Sequence, residues 1–266
     1  MSDGSVRRPA RRLTTGGVEA IDETVAEEVA VALVYNGISH AVMMATPCDL
    51  EDFGRGFSLT ERIVESPSEI YDVEVESVAQ GIEVRLDIAA QRMAALRERR
   101  RTLAGRTGCG LCGVDSIAAA MRPVAVLAAG ATVSREAIGR AMAALPAAQV
   151  INRVNGATHA AGWAGTDGAL LAVREDVGRH NALDKLCGAV LGRQHAGAPA
   201  GFVVVTSRCS YEMVHKAAAM GAVAIAAVSA PTSLAIEVAQ QSGIALAAFV
   251  RNGRLTVYAH PERVTP

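Results

Sequence analysis

Apolar and polar positions change rhythm twice along the chain. Residues 18–45 alternate in the β manner, and Asn36-Gly37 stands between two apolar runs, a dipeptide suited to a two-residue hairpin turn. "DLEDFGRGFSLTERIV" (49–64) follows Pro47 and opens on acidic residues, which predicts a helix. "YDVEVESVAQGIEVRLDI" (71–88) alternates again, with a turn near Gln80-Gly81, and a basic helix is expected over about 90–103.

Beyond that helix the period lengthens. Ser134 is placed to cap a helix over about 135–145. "GALLAVRED" reads as a strand and "NALDKLCGAVLG" as the helix behind it. "GFVVVTS" is a continuous apolar strand of the kind buried on both faces. "SYEMVHKAAAMG" is a helix closed by Gly221, and "TSLAIEVAQQSG" a helix closed by Gly243. The strands "AVAIAAVSA" and "IALAAFV" flank the second helix, and Asn252-Gly253 turns the chain into "RLTVYA". The alternation predicts an α/β layer with a parallel or mixed sheet and right-handed crossovers. The expected organisation is a flexible arm at 1–16, a mostly antiparallel part with helices at 17–105, and an α/β layer domain at 106–266, α+β overall.

Composition narrows the class. The 266 residues are 50% hydrophobic and 20% charged, enough for a sizeable core and unlike a disordered chain. A formal net charge of −1 argues against a general nucleic-acid partner. No apolar stretch has the length of a membrane span, and no apolar core follows the basic N-terminal residues, so neither a membrane nor secretion is expected. Five cysteines without an even framework suit a reducing cytoplasm.

Two of those cysteines, Cys109 and Cys112, form a CxxC inside "TGCGLCG", just after the arginine-dense "RERRRTLAGR". A structural zinc site needs four ligands, and Cys48, Cys187 and Cys209 stand alone. A deaminase zinc site would need an HxE and a PCxxC, and Gly108 stands where that proline would be. A thioredoxin-like pair would open a helix after an early strand. A plain turn and a mobile thiol carrier remain open. Glycines would let a carrier loop move. Arg97, Arg99, Arg100, Arg101 and Arg106 would favour a thiolate, although a solvated helix face accounts for most of them.

Three loops following strands hold the remaining chemistry. "EDVGRHNALDK" (175–185) gathers Glu175, Asp176, Arg179, His180, Asn181 and Asp184, with Asn181 a possible helix cap. "TSRCS" (206–210) and "SAPTS" (229–233) each lead into a helix, where hydroxyls and free N–H groups receive anions. In an open α/β sheet, ligands bind outside the carboxyl ends of the strands. His180, Ser207, Arg208 and Ser229 are therefore candidate contacts to a phosphate-bearing ligand. Arg251 and Arg254 flank the last turn as a candidate clamp, or as a solvated hairpin tip. No GxxxxGK[ST] P-loop is present.

In order, "TGCGLCG", "NGATHAAGW", "EDVGRHNALDK", "SRCSYEMVHKAA" and "SAPTSLAI" resemble the formate dehydrogenase accessory sulfurtransferase family (FdhD) across most of the chain beyond residue 15. That resemblance implies a cytidine-deaminase-like layered fold without the deaminase zinc, a homodimer, and an enzyme acting as a sulfurtransferase. Sulfur would come from a cysteine desulfurase as a persulfide on Cys109, assisted by Cys112. It would pass to the molybdenum (or tungsten) bis(molybdopterin guanine dinucleotide) cofactor needed by formate dehydrogenase. The family's cofactor-binding segment corresponds to Phe249, Val250, Arg251, Asn252, Gly253 and Arg254, and no metal ligated by protein side chains is implied. The family often has Thr-Gly-Gly before its "HAA"; this chain has Asn155-Gly156-Ala157, so only a contact by His159 is expected there. A nucleotide-binding insertion chaperone without sulfur chemistry is the alternative.

Overall fold

The computed structural model describes residues 4–104, 126–128, 130–192 and 200–266. The chain begins with a two-stranded ribbon, β1 (Ser5–Thr14) and β2 (Gly17–Ala26), paired antiparallel along its whole length. Residues 5–14, expected as part of a flexible arm, are thus a strand. Arg12 pairs with Glu23 across this ladder at 3.1 Å, a cross-strand contact that sequence distance hides.

Next comes a four-stranded sheet in the order β4-β3-β6-β5, from β3 (Val29–Tyr35), β4 (Ile38–Ala45), β5 (Ile70–Val78) and β6 (Gly81–Ile88). Asn36 and Gly37 take positive φ, 46° and 77°, as the tight β3–β4 turn demands. The Asn36 side chain also exchanges two hydrogen bonds with the Ile88 backbone, which pins this turn to β6. Helix α1 (Leu50–Thr60) covers one face, burying Leu50, Phe53 and Phe57 against Val31, Leu33, Val84 and Leu86. Helix α2 (Ala90–Ala104) follows and adds Met93 and Leu96 to that core.

The larger unit is a six-stranded mixed sheet, ordered β13-β12-β11-β10-β8-β9. Its strands are β8 (His159–Gly165), β9 (Leu170–Asp176), β10 (Gly201–Val205), β11 (Ala224–Ala227), β12 (Ala245–Arg251) and β13 (Arg254–Ala259). The β10, β11 and β12 strands are parallel, and the others pair antiparallel. A short β7 (Val133–Ser134) pairs with β14 (Val264–Thr265). Ser134 caps α3 (Arg135–Ala148) through its hydroxyl, which accepts from Ala137 N at 3.0 Å. A single turn, α4 (Asn152–Asn155), comes next.

Helices lie on both faces of this sheet. Helix α3 packs on the face carrying Ala160, Ala164, Phe202, Val204, Ala224, Ala226, Ala245 and Ala247. The alternate residues, among them Trp163, Val203, Val205, Ile225 and Leu246, face α5 (Arg179–Leu191), α6 (Tyr211–Ala219) and α7 (Ser233–Ser242). The abundant alanines thus line the face on which α3 lies.

The two units are joined where α1 crosses α5. A methyl group at Gly56 would collide with the Asp184 carbonyl oxygen, and one at Gly188 with that of Asp52. Both helices therefore need glycine at the crossing. Beside it, Lys216 Nζ lies 2.7 Å from Asp184 and 3.0 Å from Glu61. Burial disfavours the Lys216 charge, but Asp184 and Glu61 outweigh it and hold the ammonium above its usual range. Among the described residues no helix is long and apolar enough to cross a membrane.

Candidate functional site at the carboxyl ends of the parallel strands

The loops following β10, β11 and β12 are knitted together. Cys209 and Pro231 form an isolated parallel bridge, with Cys209 N donating to Ala230 O and Thr232 N to Cys209 O. Phe249 N donates to Ser229 O, which draws the end of β12 to the loop after β11. Ser210, after β10, turns its hydroxyl toward His180 Nε2 at 3.5 Å rather than capping α6. Thr232 does cap α7, accepting from Ala235 N at 3.2 Å.

His180 is the meeting point. Its Nε2 lies 2.8 Å from Glu212 Oε2 in the first turn of α6, and this hydrogen bond holds the Glu212 carboxyl below its ordinary range. His159, at the start of β8, is pushed down mainly by burial, and then by the neighbouring charges of Arg179 and His180. The buried Nε of Arg179 has no hydrogen-bond partner among the described residues. Helix α5 starts from Gly178 with no side-chain cap. Uncapped N–H groups, a guanidinium and two imidazoles together suit an anion.

The rest of "EDVGRHNALDK" is structural. Asp176 is buried against Lys185 Nζ at 2.7 Å and accepts from Thr46 N, Gly178 N and Asn181 Nδ2. Glu175 accepts from Ile151 N, Asn152 N and Thr158 Oγ1, all at 2.8 Å, and so holds α4 in place. Asn181 is not the helix cap; it lies inside α5 and donates to Met44 O at 2.8 Å. Only Arg179 and His180 of this motif are left to face a ligand.

The last hairpin divides the same way. Val250 is buried in the α3-side core, so its side chain is not available to a ligand. Phe249 has φ 53°, unusual for an aromatic residue, and sits in an irregularity between Ala248 and Arg251. That backbone places its ring outward, with the Arg251 guanidinium 6.0 Å from the ring centroid. Asn252 and Gly253, with φ 52° and 71°, form the turn, and Gly253 O accepts from Arg135. Arg254 is exposed and opposite Arg251 in register.

The model of the FdhD/NarQ family matches residues 26–265. The chain belongs to this family. A Cupriavidus necator protein named sulfur carrier protein FdhD is 55% identical over 242 residues, 91% of this chain and 84% of that protein. A Bordetella petrii protein of the same name is 51% identical, covering 93% of this chain and 89% of its own. The crystal structure of a protein described as a formate dehydrogenase accessory protein, from Desulfotalea psychrophila, superposes with a TM-score of 0.76. It is 26% identical and covers 98% of this chain and 99% of that one.

In this FdhD/NarQ chain, Cys109 and Cys112 lie outside the described residues. Burial disfavours the thiolate of each of the three described cysteines. Burial raises Cys48, raises Cys187 further, and pushes Cys209 up to about 12. Of the predicted anion contacts, His180, Ser229 and Phe249 lie on the connected loops above, and Arg208 is exposed beside them. Ser207 is buried, and its hydroxyl donates to Arg208 O at 2.9 Å, so it is turned away from a ligand. Glu212 escaped sequence reading. It lies 32 positions from His180, and nothing in "SYEMVHK" shows which residue its carboxylate meets. No group of three or more His, Cys, Asp or Glu that could hold a metal occurs among the described residues.

Proposed function

We propose that this chain is a sulfur carrier serving formate dehydrogenase maturation, acting as a sulfurtransferase through a cysteine persulfide. A cysteine desulfurase supplies the sulfur in the cytoplasm. The Cys109 thiolate attacks the terminal sulfur of the donor persulfide. The donor S–S bond breaks, the donor thiolate leaves, and the new persulfide stays on Cys109. Cys112 either attacks the inner sulfur, releasing sulfide-level sulfur and leaving a Cys109–Cys112 disulfide, or protects the persulfide from loss.

The acceptor is the molybdenum bis(molybdopterin guanine dinucleotide) cofactor, bound as substrate at the carboxyl ends of β10–β12. The observation that carries this reading is the gathering of His159, Arg179 and His180 at the uncapped start of α5, on loops that backbone hydrogen bonds link to Phe249 at the end of β12. A phosphate chain suits the first group, and a guanine ring suits the second. The family name shared by the relatives supports the sulfur chemistry, and the raised described thiols turn it toward the CxxC pair.

The test is direct. The full chain is incubated with a cysteine desulfurase and cysteine, and its peptides are weighed. One added sulfur atom on the Cys109 peptide, lost in Cys109→Ala, is the expected result. An unmodified Cys109, or full formate dehydrogenase activation by Cys109→Ala/Cys112→Ala, would replace this reading with that of an insertion chaperone.

A further inference from the structure

Helices α5 and α6 carry ionisable residues at matching intervals. On α5 these are His180 and Asp184, and on α6 they are Glu212 and Lys216. Positions four apart share one face of a helix, one turn apart. The two faces meet as two rungs. Lys216 Nζ lies 2.7 Å from Asp184 Oδ1, and His180 Nε2 lies 2.8 Å from Glu212 Oε2.

The rungs differ in their surroundings. Asp184 and Lys216 are buried. Lys216 also donates to Thr60 Oγ1 and Glu61, and Thr60 donates to Asp184 Oδ1 at 2.6 Å. This satisfied inner rung fixes how α6 sits beside α5. The outer rung stands at the helix starts, with the His180 side chain 30% and that of Glu212 44% exposed.

The contacts divide the work of the His180 ring. Glu212 has a carboxyl that its bond with His180 holds below the ordinary range, and an ionised carboxylate only accepts. The ring proton therefore belongs on Nε2, with Ser210 Oγ 3.5 Å from the same nitrogen. Nδ1, across the ring, has no hydrogen-bond partner among the described residues. A second proton can land only there. Arg179 on α5 and His159 on β8 oppose that added charge, and Glu212 favours it. On Glu212 itself, Lys216 acts in favour of the ionised form and Glu61 against it.

We propose that Glu212 is a positioning residue of the anion site: it holds His180 by Nε2, so that the ring meets a phosphate oxygen through Nδ1 as a doubly protonated imidazolium. The second proton comes from solvent as the ligand binds. The Lys216–Asp184 rung keeps the helices at the spacing this requires. The inference rests on the nucleotide site proposed above and deepens it by assigning one atom of His180 to the ligand and one to Glu212.

The test uses the full chain labelled with ¹⁵N-histidine and guanosine diphosphate as the probe. His180 resonances are assigned by their loss in His180→Asn. In the wild-type complex both ring nitrogens should carry protons, and adding the nucleotide should move Nδ1 more than Nε2. Glu212→Gln keeps the shape of the side chain and removes its charge. Its complex should show a singly protonated ring and an affinity lower by about ten-fold, as loss of one charge-assisted hydrogen bond implies. An asparagine amide lies near the place of Nδ1 and a glutamine amide near that of Nε2, so His180→Asn should bind the nucleotide more tightly than His180→Gln. Circular dichroism of each variant separates lost folding from lost binding. A singly protonated ring in the wild-type complex, unchanged affinity in Glu212→Gln, or His180→Gln binding as well as His180→Asn overturns this inference alone. Wild-type protein that binds no guanosine diphosphate overturns the nucleotide site and this inference together.

Discussion

Lys185 Nζ lies 2.7 Å from Asp176 Oδ2, both side chains wholly buried, and the same ammonium donates to Thr46 O at 2.9 Å. One ion pair thus ties the end of β9 and the helix α5 to the segment that leaves β4. Breaking such a pair from one side leaves a buried, unpaired charge. Lys185→Met is expected to cost about 3–5 kcal/mol in urea unfolding, and adding Asp176→Asn, which removes the unpaired charge and keeps an acceptor for Gly178 N and Asn181, should recover part of that loss. A double variant no better than the single one would show that the pair is not the joint.

Glycine at the α1–α5 crossing has an equally specific role. Gly56→Ala and Gly188→Ala each force a methyl into a backbone carbonyl of the facing helix. Each should destabilise by about 1–3 kcal/mol or more. Heat unfolding that matches wild type would mean the helices separate freely.

Thiol reactivity should follow burial. At neutral pH, iodoacetamide is expected to modify Cys109 and Cys112 well before Cys187 and Cys209, whose thiols burial pushes upward. Timed alkylation read by peptide mass checks this order. Cys209→Ala should leave persulfide loading on Cys109 unchanged.

The exposed Phe249–Arg251 stack should act on a nucleotide, not on the fold. Phe249→Ala is expected to weaken binding of guanosine diphosphate about ten-fold, since stacking of a base on an aromatic ring contributes about 1–3 kcal/mol. The melting temperature should move little, because Phe249 is 37% exposed. Calorimetric titration of both proteins gives the ratio, and equal affinities would remove the stack from the site.

Glu212 sets a pH window. Its folded-state pKa is depressed by the hydrogen bond with His180, so its contribution is complete above the ordinary glutamate range, about 4.3, and is lost as pH falls below it. The stability difference between wild type and Glu212→Gln should shrink as pH falls from about 5.5 toward 3. At this half-exposed position it should stay below about 1 kcal/mol. A difference that grows on acidification would contradict the assignment.

What the sequence by itself determined is the local and periodic part. Alternation located β3–β6, a continuous apolar run located β10, and Asn36-Gly37 and Asn252-Gly253 marked turns whose positive φ the structure shows. These signals are short-range, so neighbouring residues suffice to write them. The family was legible too, because "EDVGRHNALDK" and the CxxC are contiguous motifs.

Tertiary structure decided the rest. Six ionisable or amide residues in "EDVGRHNALDK" look alike as letters, yet Glu175, Asp176, Asn181 and Asp184 are buried in joints and only Arg179 and His180 are partly exposed. Val250 and Ser207 were drawn into the candidate set by their neighbours in sequence, and burial removes both from contact. Residues 5–14 looked like an arm because their pattern is polar and their partner strand is not apparent from composition. Which polar group meets water, ligand or another buried charge depends on partners 30 to 140 positions away, a distance over which sequence spacing carries no geometry.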